Sequence, residues 1–193
     1  GDGVAGHQIA HDMSKTPEMM WIKNRDDSSN GWIVYHKGLN SGNNAGTHYM
    51  VLNDTGGESS GEVIFNNTAP TATHFTVGTH SWTNEDDEDL LCMLFSSVSG
   101  ISKVGSYTGS ASGNTVTLGF QPRFIIIKTA STTSDWTVLD TTRGWGSGND
   151  QRLYLNSDAA QNAQDWGAPT STGFTVSSGY HGDGDAVIYY AHA

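Results

Sequence analysis

The sequence predicts an all-β fold, a β-sandwich of jelly-roll type built from two internally duplicated halves with almost no helix. Two observations predict it. Residues 70–77 (PTATHFTV) return 99 residues later as residues 169–176 (PTSTGFTV), with six of eight positions identical, and a match that long marks an internal repeat. The remaining apolar segments are short, and the 24 glycines lie between them. That is the pattern of many strands joined by turns, not of disorder.

The flanks extend the repeat. Residues 17–23 (PEMMWIK) match residues 122–128 (PRFIIIK) at an offset of 105, Trp32 matches Trp136 at 104, Asn53 matches Asn156 at 103, and the run LLCMLF at 90–95 matches AVIYYA at 186–191 at an offset of 96. The falling offset means that the second copy has lost residues in its turns while keeping its strands. The halves are accordingly placed at residues 1–98 and 99–193, expected to form one compact unit with a shared core.

Taken in order, Gly1, Gly3 and Gly6 have the spacing of a dinucleotide-binding fingerprint but lack the strand that must precede it. Their counterpart is the turn 109–113 (GSASG), so residues 1–6 are expected to form the same turn without its preceding strand. Residues 19–23 and 32–36 read as strands around the polar turn 25–31, with Asn30-Gly31 tolerant of positive φ. The glycine-rich loop 38–46 corresponds to 143–150. Strands are expected over 47–53 and 62–66. The acidic loop 78–89 corresponds to 177–185. Each half then ends in a continuous apolar run, 90–95 or 186–191, predicting a central strand covered on both faces. The join 99–109 carries spaced apolar residues and no proline, so it is expected to be packed rather than a linker. Only 158–165 (DAAQNAQD) has helix-forming composition, for about two turns at most.

Nine Lys and Arg against 20 Asp and Glu give a net charge of −11, which argues against nucleic acid as a partner. No apolar stretch approaches the roughly 20 residues of a spanning helix, so no membrane insertion is expected. There is no secretory signal, and the first residue is Gly1 rather than methionine, which predicts a processed start or an internal piece of a longer polypeptide. Cys92 is the only cysteine. It excludes an internal disulfide and reads as a buried thiol.

The segment IAHDMSKTPEMMWIKNRDDSSNGWIVYHKGL, the join FSSVSGISKVGSYTG and the twin PTxTxFTV resemble a repeat family of virion structural and tail-fibre proteins of tailed, often marine, bacteriophages. The family's His-Gly-Leu-Gly element is replaced here by His11-Asp12-Met13-Ser14, which affects a turn. The resemblance implies a β-sandwich module, often beside lectin-like modules, and carries no catalytic residue.

Several residues invite chemistry. Asp87 and Asp89 align with Asp183 and Asp185 before the last strand of each half, and carboxylates two apart in a turn are oxygen ligands for calcium; a solvated acidic loop is the other reading. His7 and His11 have the spacing of a helical zinc pair but lack the helix. Trp82 and Trp145 sit in polar loops, where a ring either stacks on a sugar or folds back over the sandwich edge. Tyr180 and His181 lie in the unequal downstream loop of the second half and join them as candidates for a glycan or partner. Ser110 and Ser112 flank Ala111, so no nucleophile elbow is formed. The expected function is a non-enzymatic virion protein on the particle surface, associated with other virion proteins and forming a homo-oligomer. A tail-fibre or receptor-binding role leads, capsid decoration is the alternative, and a lectin or polysaccharide-degrading enzyme acting on host surface glycan is the rival class.

Overall fold

The computed structural model describes residues 1–146 and 148–193, which divide into two units, Gly1–Ser96 and Ser97–Ala193. The boundary falls within two residues of the one read from the repeat. The regular structure of both units is mostly antiparallel strand, with little helix.

The first unit contains β1 (His7–Ala10), β2 (Met19–Asn24), β3 (Ile33–His36), β4 (His48–Val51), β5 (Ser59–Ser60), a one-turn helix α1 (Glu62–Phe65), β6 (His74–Val77), a second one-turn helix α2 (Ser81–Asn84) and β7 (Leu90–Phe95). A five-stranded sheet has the order β5-β4-β3-β2-β7, and β1 pairs with β6. The second unit contains β8 (Ser102–Thr108), β9 (Asn114–Thr117), β10 (Phe124–Thr129), β11 (Thr137–Asp140), β12 (Asp150–Tyr154), β13 (Asn162–Gln164), β14 (Pro169–Thr170), β15 (Gly173–Val176) and β16 (Ala186–His192). Its six-stranded sheet runs β13-β12-β11-β10-β16-β8, and a three-stranded sheet runs β14-β15-β9.

The sandwich layout follows from which side chains meet. Alternate residues of β10 and β16, Ile125, Ile127, Val187, Tyr189 and Ala191, form one buried cluster with Val116 of β9 and with Phe174 and Val176 of β15. Period-2 alternation puts these residues on one face of each sheet, so the two inner faces make the core. All members of this cluster belong to the second unit. In the first unit the corresponding Met20, Ile22, Phe75 and Val77 are all at most 2% exposed.

The duplication extends to individual hydrogen bonds. The Asn53 carboxamide oxygen accepts from Trp32 N–H at 2.8 Å, and Asn156 accepts from Trp136 N–H at 2.7 Å. Beside each, Leu52 N–H and Leu155 N–H donate to the carbonyls of Trp32 and Trp136. The PTxTxFTV twin is scaffold in both units. Ile9 faces Phe75 and Val116 faces Phe174 across the smaller sheets. Thr71 Oγ1 accepts from His74 N–H at 3.0 Å, which fixes the turn that enters β6.

Four local expectations are corrected. Residues 62–65 form α1 rather than a strand, because Asn66 and Asn67 both take positive φ and reverse the chain after one turn. Part of the acidic loop forms α2. Residues 162–164, within the segment read as helical, form β13 against β12. All three are exposed, so a helix there would have had no apolar stripe to bury. The fourth concerns β7, which is an outer strand with Leu91 39% and Met93 40% exposed. Its counterpart β16 lies between β10 and β8 as expected, with Val187 and Ile188 at 0% and 1%.

Candidate functional site

The second unit carries an open groove of about 230 Å³ on the face of the six-stranded sheet near the β15–β16 loop. Its floor comes from β10 and β11 through the paired Ile127 and Thr137, one wall from Arg152 and Tyr154 of β12, and the other from Trp166, Tyr180 and His181. The strand order places β12 next to β11 and β11 next to β10, so alternate side chains of three adjacent strands converge there.

Polar groups around the groove are held in place. Lys128, only 1% exposed, donates from Nζ to the Thr129 carbonyl and to Ser134 Oγ, both at 3.1 Å. Asp135 accepts from the Asn156 carboxamide at 2.8 Å. Arg152 Nε donates to Asn162 Oδ1 at 2.7 Å, and its guanidinium carbon lies 5.2 Å from the centre of the Tyr154 ring, a cation–π arrangement that fixes both side chains.

The other wall is aromatic. Trp166 lies 5.0 Å from Tyr180 and 5.8 Å from His181 between ring centres. The backbone at Trp166 is anchored by Asp150, which is fully buried and accepts Trp166 N–H at 2.7 Å and Gly146 N–H at 2.6 Å through its two oxygens. Burial pushes the His181 imidazole below its usual value, against a smaller upward pull from Asp185. The ring is bracketed by Tyr107 Oη at 2.9 Å from Nε2 and Thr129 Oγ1 at 3.2 Å from Nδ1. Burial also raises the Tyr107 and Tyr180 phenols, keeping both as hydroxyl donors at neutral pH. The Tyr180 hydroxyl is buried without a hydrogen-bond partner.

Against the whole chain, residues 1–193, one family model matches, described as a domain of unknown function (DUF7483). The chain belongs to that family. No curated protein and no solved structure matches it.

The sequence candidates divide sharply in this family member. Tyr180 and His181 are groove walls. Trp82 is half-buried and lines a separate cleft of about 230 Å³ in the first unit, with Tyr49, Asp54 and Ser59. Its ring stands 5.5 Å from His80 in an edge-on arrangement. Trp145 is corrected: at 3% exposure it belongs to the core cluster, with its ring centre 6.3 Å from that of Phe174. The glycine-rich loop folds it inward, so no ring is displayed.

The acidic pairs take up local roles. Asp183 Oδ1 accepts Ala111 N–H at 2.8 Å, and Asp185 Oδ2 accepts Gly182 N–H at 2.7 Å. Asp87 and Asp89 are exposed, and Asp89 N–H donates to Asp26. Among the described residues no three His, Cys, Asp or Glu side chains converge as metal ligands, so the calcium expectation finds no ligand set. The proposed alignment of the two pairs also shifts. Asn24 faces Leu90 whereas its counterpart Thr129 faces Val187, so β7 and β16 correspond at an offset of 97 and the carboxylates fall out of step. Cys92 is half-buried, and burial raises its thiol to about 11, leaving it protonated and unreactive at neutral pH.

Lys128, Arg152 and Tyr154 were not singled out from the sequence. One signal was present in the lysine that closes the apolar run PRFIIIK. A charge inside a strand buried on both sides needs partners, and those partners lie in the groove.

Proposed function

We propose that the chain is a non-enzymatic structural module on the outside of a bacteriophage particle, serving in a tail fibre or receptor-binding protein and engaging a host surface glycan. The observation that carries the recognition half is the groove: the half-buried rings of Tyr154 and Tyr180 stand beside Arg152 and Asp135, with the buried Trp166 packed against Tyr180. Aromatic faces stack on the apolar face of a sugar ring while fixed polar groups meet its hydroxyls. The particle half rests on the resemblance of the duplicated segments to virion structural repeats. A homo-oligomer suits this role, since weak single sites gain avidity when several are linked.

Binding of the purified chain to a panel of bacterial surface polysaccharides tests the reading. The wild-type chain is expected to bind at least one. Tyr154→Ala and Arg152→Ala should each weaken that binding about tenfold or more, the equivalent of roughly 1.4 kcal/mol. Absence of binding to every polysaccharide, or binding indifferent to both substitutions, would sink the glycan site. Release of oligosaccharide by the purified chain would overturn the non-enzymatic reading.

A further inference from the structure

Two strands of the second unit, β8 and β14, have no counterpart in the first, and β8 is the one that covers a sheet edge. In the second, β8 runs antiparallel along the outer edge of β16, pairing Tyr107 with Val187 and Gly105 with Tyr189. In the first, β7 pairs with β2 and forms the end of its sheet.

Equivalent positions carry the consequence. At the offset of 97, Leu90, Cys92 and Leu94 correspond to Val187, Tyr189 and Ala191. The second-unit residues are at most 4% exposed, whereas the first-unit ones are only half-buried. On the opposite face, Leu91 is 39% exposed where Ile188 is 1%. Tyr107 of β8 supplies the cover in the second unit, with its ring 6.4 Å from Phe174 and 6.2 Å from Tyr189. In the first unit the matching place is a groove of about 240 Å³ lined by Gly1, Ile9, Leu90 and Cys92. Ile9 is half-buried there, whereas its counterpart Val116 is buried.

The direction of approach is also fixed. Gly109 N–H donates to the Asp185 carbonyl at 2.7 Å, at the point where β8 gives way to the turn. The Gly1 amino group donates to the Glu88 carbonyl at 2.6 Å, and Glu88 is the counterpart of Asp185 at the same offset. Gly1 therefore stands where Gly109 stands. A backbone arriving at Gly1 from its N-terminal side would run antiparallel along β7, as β8 runs along β16.

We propose that the free edge of β7 and the groove beside it form a docking site for one further antiparallel strand, supplied by polypeptide directly ahead of Gly1. That strand is of the β8 type: a bulky aromatic residue two positions ahead of Gly1 fills the groove against Ile9, Leu90 and Cys92, and a small residue two positions further upstream passes over Cys92. Main-chain hydrogen bonds to the outward N–H and C=O groups of β7 supply the pairing.

The test compares the 193-residue chain with the same chain carrying a second copy of residues 102–108 (SKVGSYT) fused directly ahead of Gly1. A third protein carries those seven residues in scrambled order. With the matched extension, alternate β7 amides should exchange with deuterium about tenfold or more slowly than in the unextended chain, and the first unit should melt at a higher temperature. The scrambled extension should do neither. Unchanged β7 exchange with the matched strand, or equal slowing by the scrambled one, overturns the proposal. So does concentration-dependent protection of β7 in the unextended chain, which would assign the edge to a second copy.

Discussion

Phe174→Ala is expected to lower the stability of the second unit by about 3–5 kcal/mol, the range for truncating a large aromatic side chain in a packed core. The ring is 0% exposed and stands 5.6 Å edge-on from Tyr189 and 6.3 Å from Trp145. It is the point where the smaller sheet meets the larger one. Phe75, at 2% exposure, has the same place in the first unit, so Phe75→Ala should cost a similar amount there. Urea unfolding followed by tryptophan fluorescence measures both. A loss below about 1 kcal/mol in either variant, the range of ordinary surface substitutions, would contradict the assignment of the twin phenylalanines to the cores.

Asp150→Ala is expected to cost about 2–4 kcal/mol, because it leaves two backbone donors without their charged acceptor. Both carboxylate oxygens are used, one by Gly146 N–H and the other by Trp166 N–H, and the residue is fully buried. Asp150→Asn keeps one acceptor oxygen and should lose about half as much. Since Asp150 holds the backbone at Trp166, both substitutions should also weaken glycan binding, by more than their effect on the folded fraction. Stability unchanged in Asp150→Ala would mean that the loop before β12 relaxes to satisfy those donors elsewhere.

Much of the architecture could be read from the chain because the repeat supplies two readings of each element. Trp32 matches Trp136 and Asn53 matches Asn156 across the repeat, and the structure joins each tryptophan to the asparagine of its own half by the same hydrogen bond. The twin PTxTxFTV segments placed Phe75 and Phe174 in the cores for the same reason. The failures have equally specific causes. LLCMLF and AVIYYA are both continuous apolar runs, and such a run shows neither which face is inward nor whether a neighbour covers its edge. That left β7 read as central and the acidic pairs out of register by one residue. Residues 158–165 have helical composition but no apolar face, and propensity without burial lost to pairing with β12.

The candidate site was less legible than the fold. Tyr180 and His181, singled out because the loops downstream of the twin segments differ between the halves, line the groove. Trp145 was left between display and folding back because a polar neighbourhood in sequence does not show which way a glycine-rich loop turns its side chain. Arg152 and Tyr154 alternate along β12, and their convergence with Thr137 and Ile127 depends on strand order, which one sequence with two similar halves does not specify.

The central proposal is that this chain works on the outside of a bacteriophage particle. Immunogold labelling of intact, purified particles of a phage encoding it, with antibody raised against the purified chain, tests that claim most directly. Gold at fixed positions on the particle exterior is the predicted result. Particles that stay unlabelled and also lack the chain by mass spectrometry, while the infected-cell lysate contains it, would contradict the account.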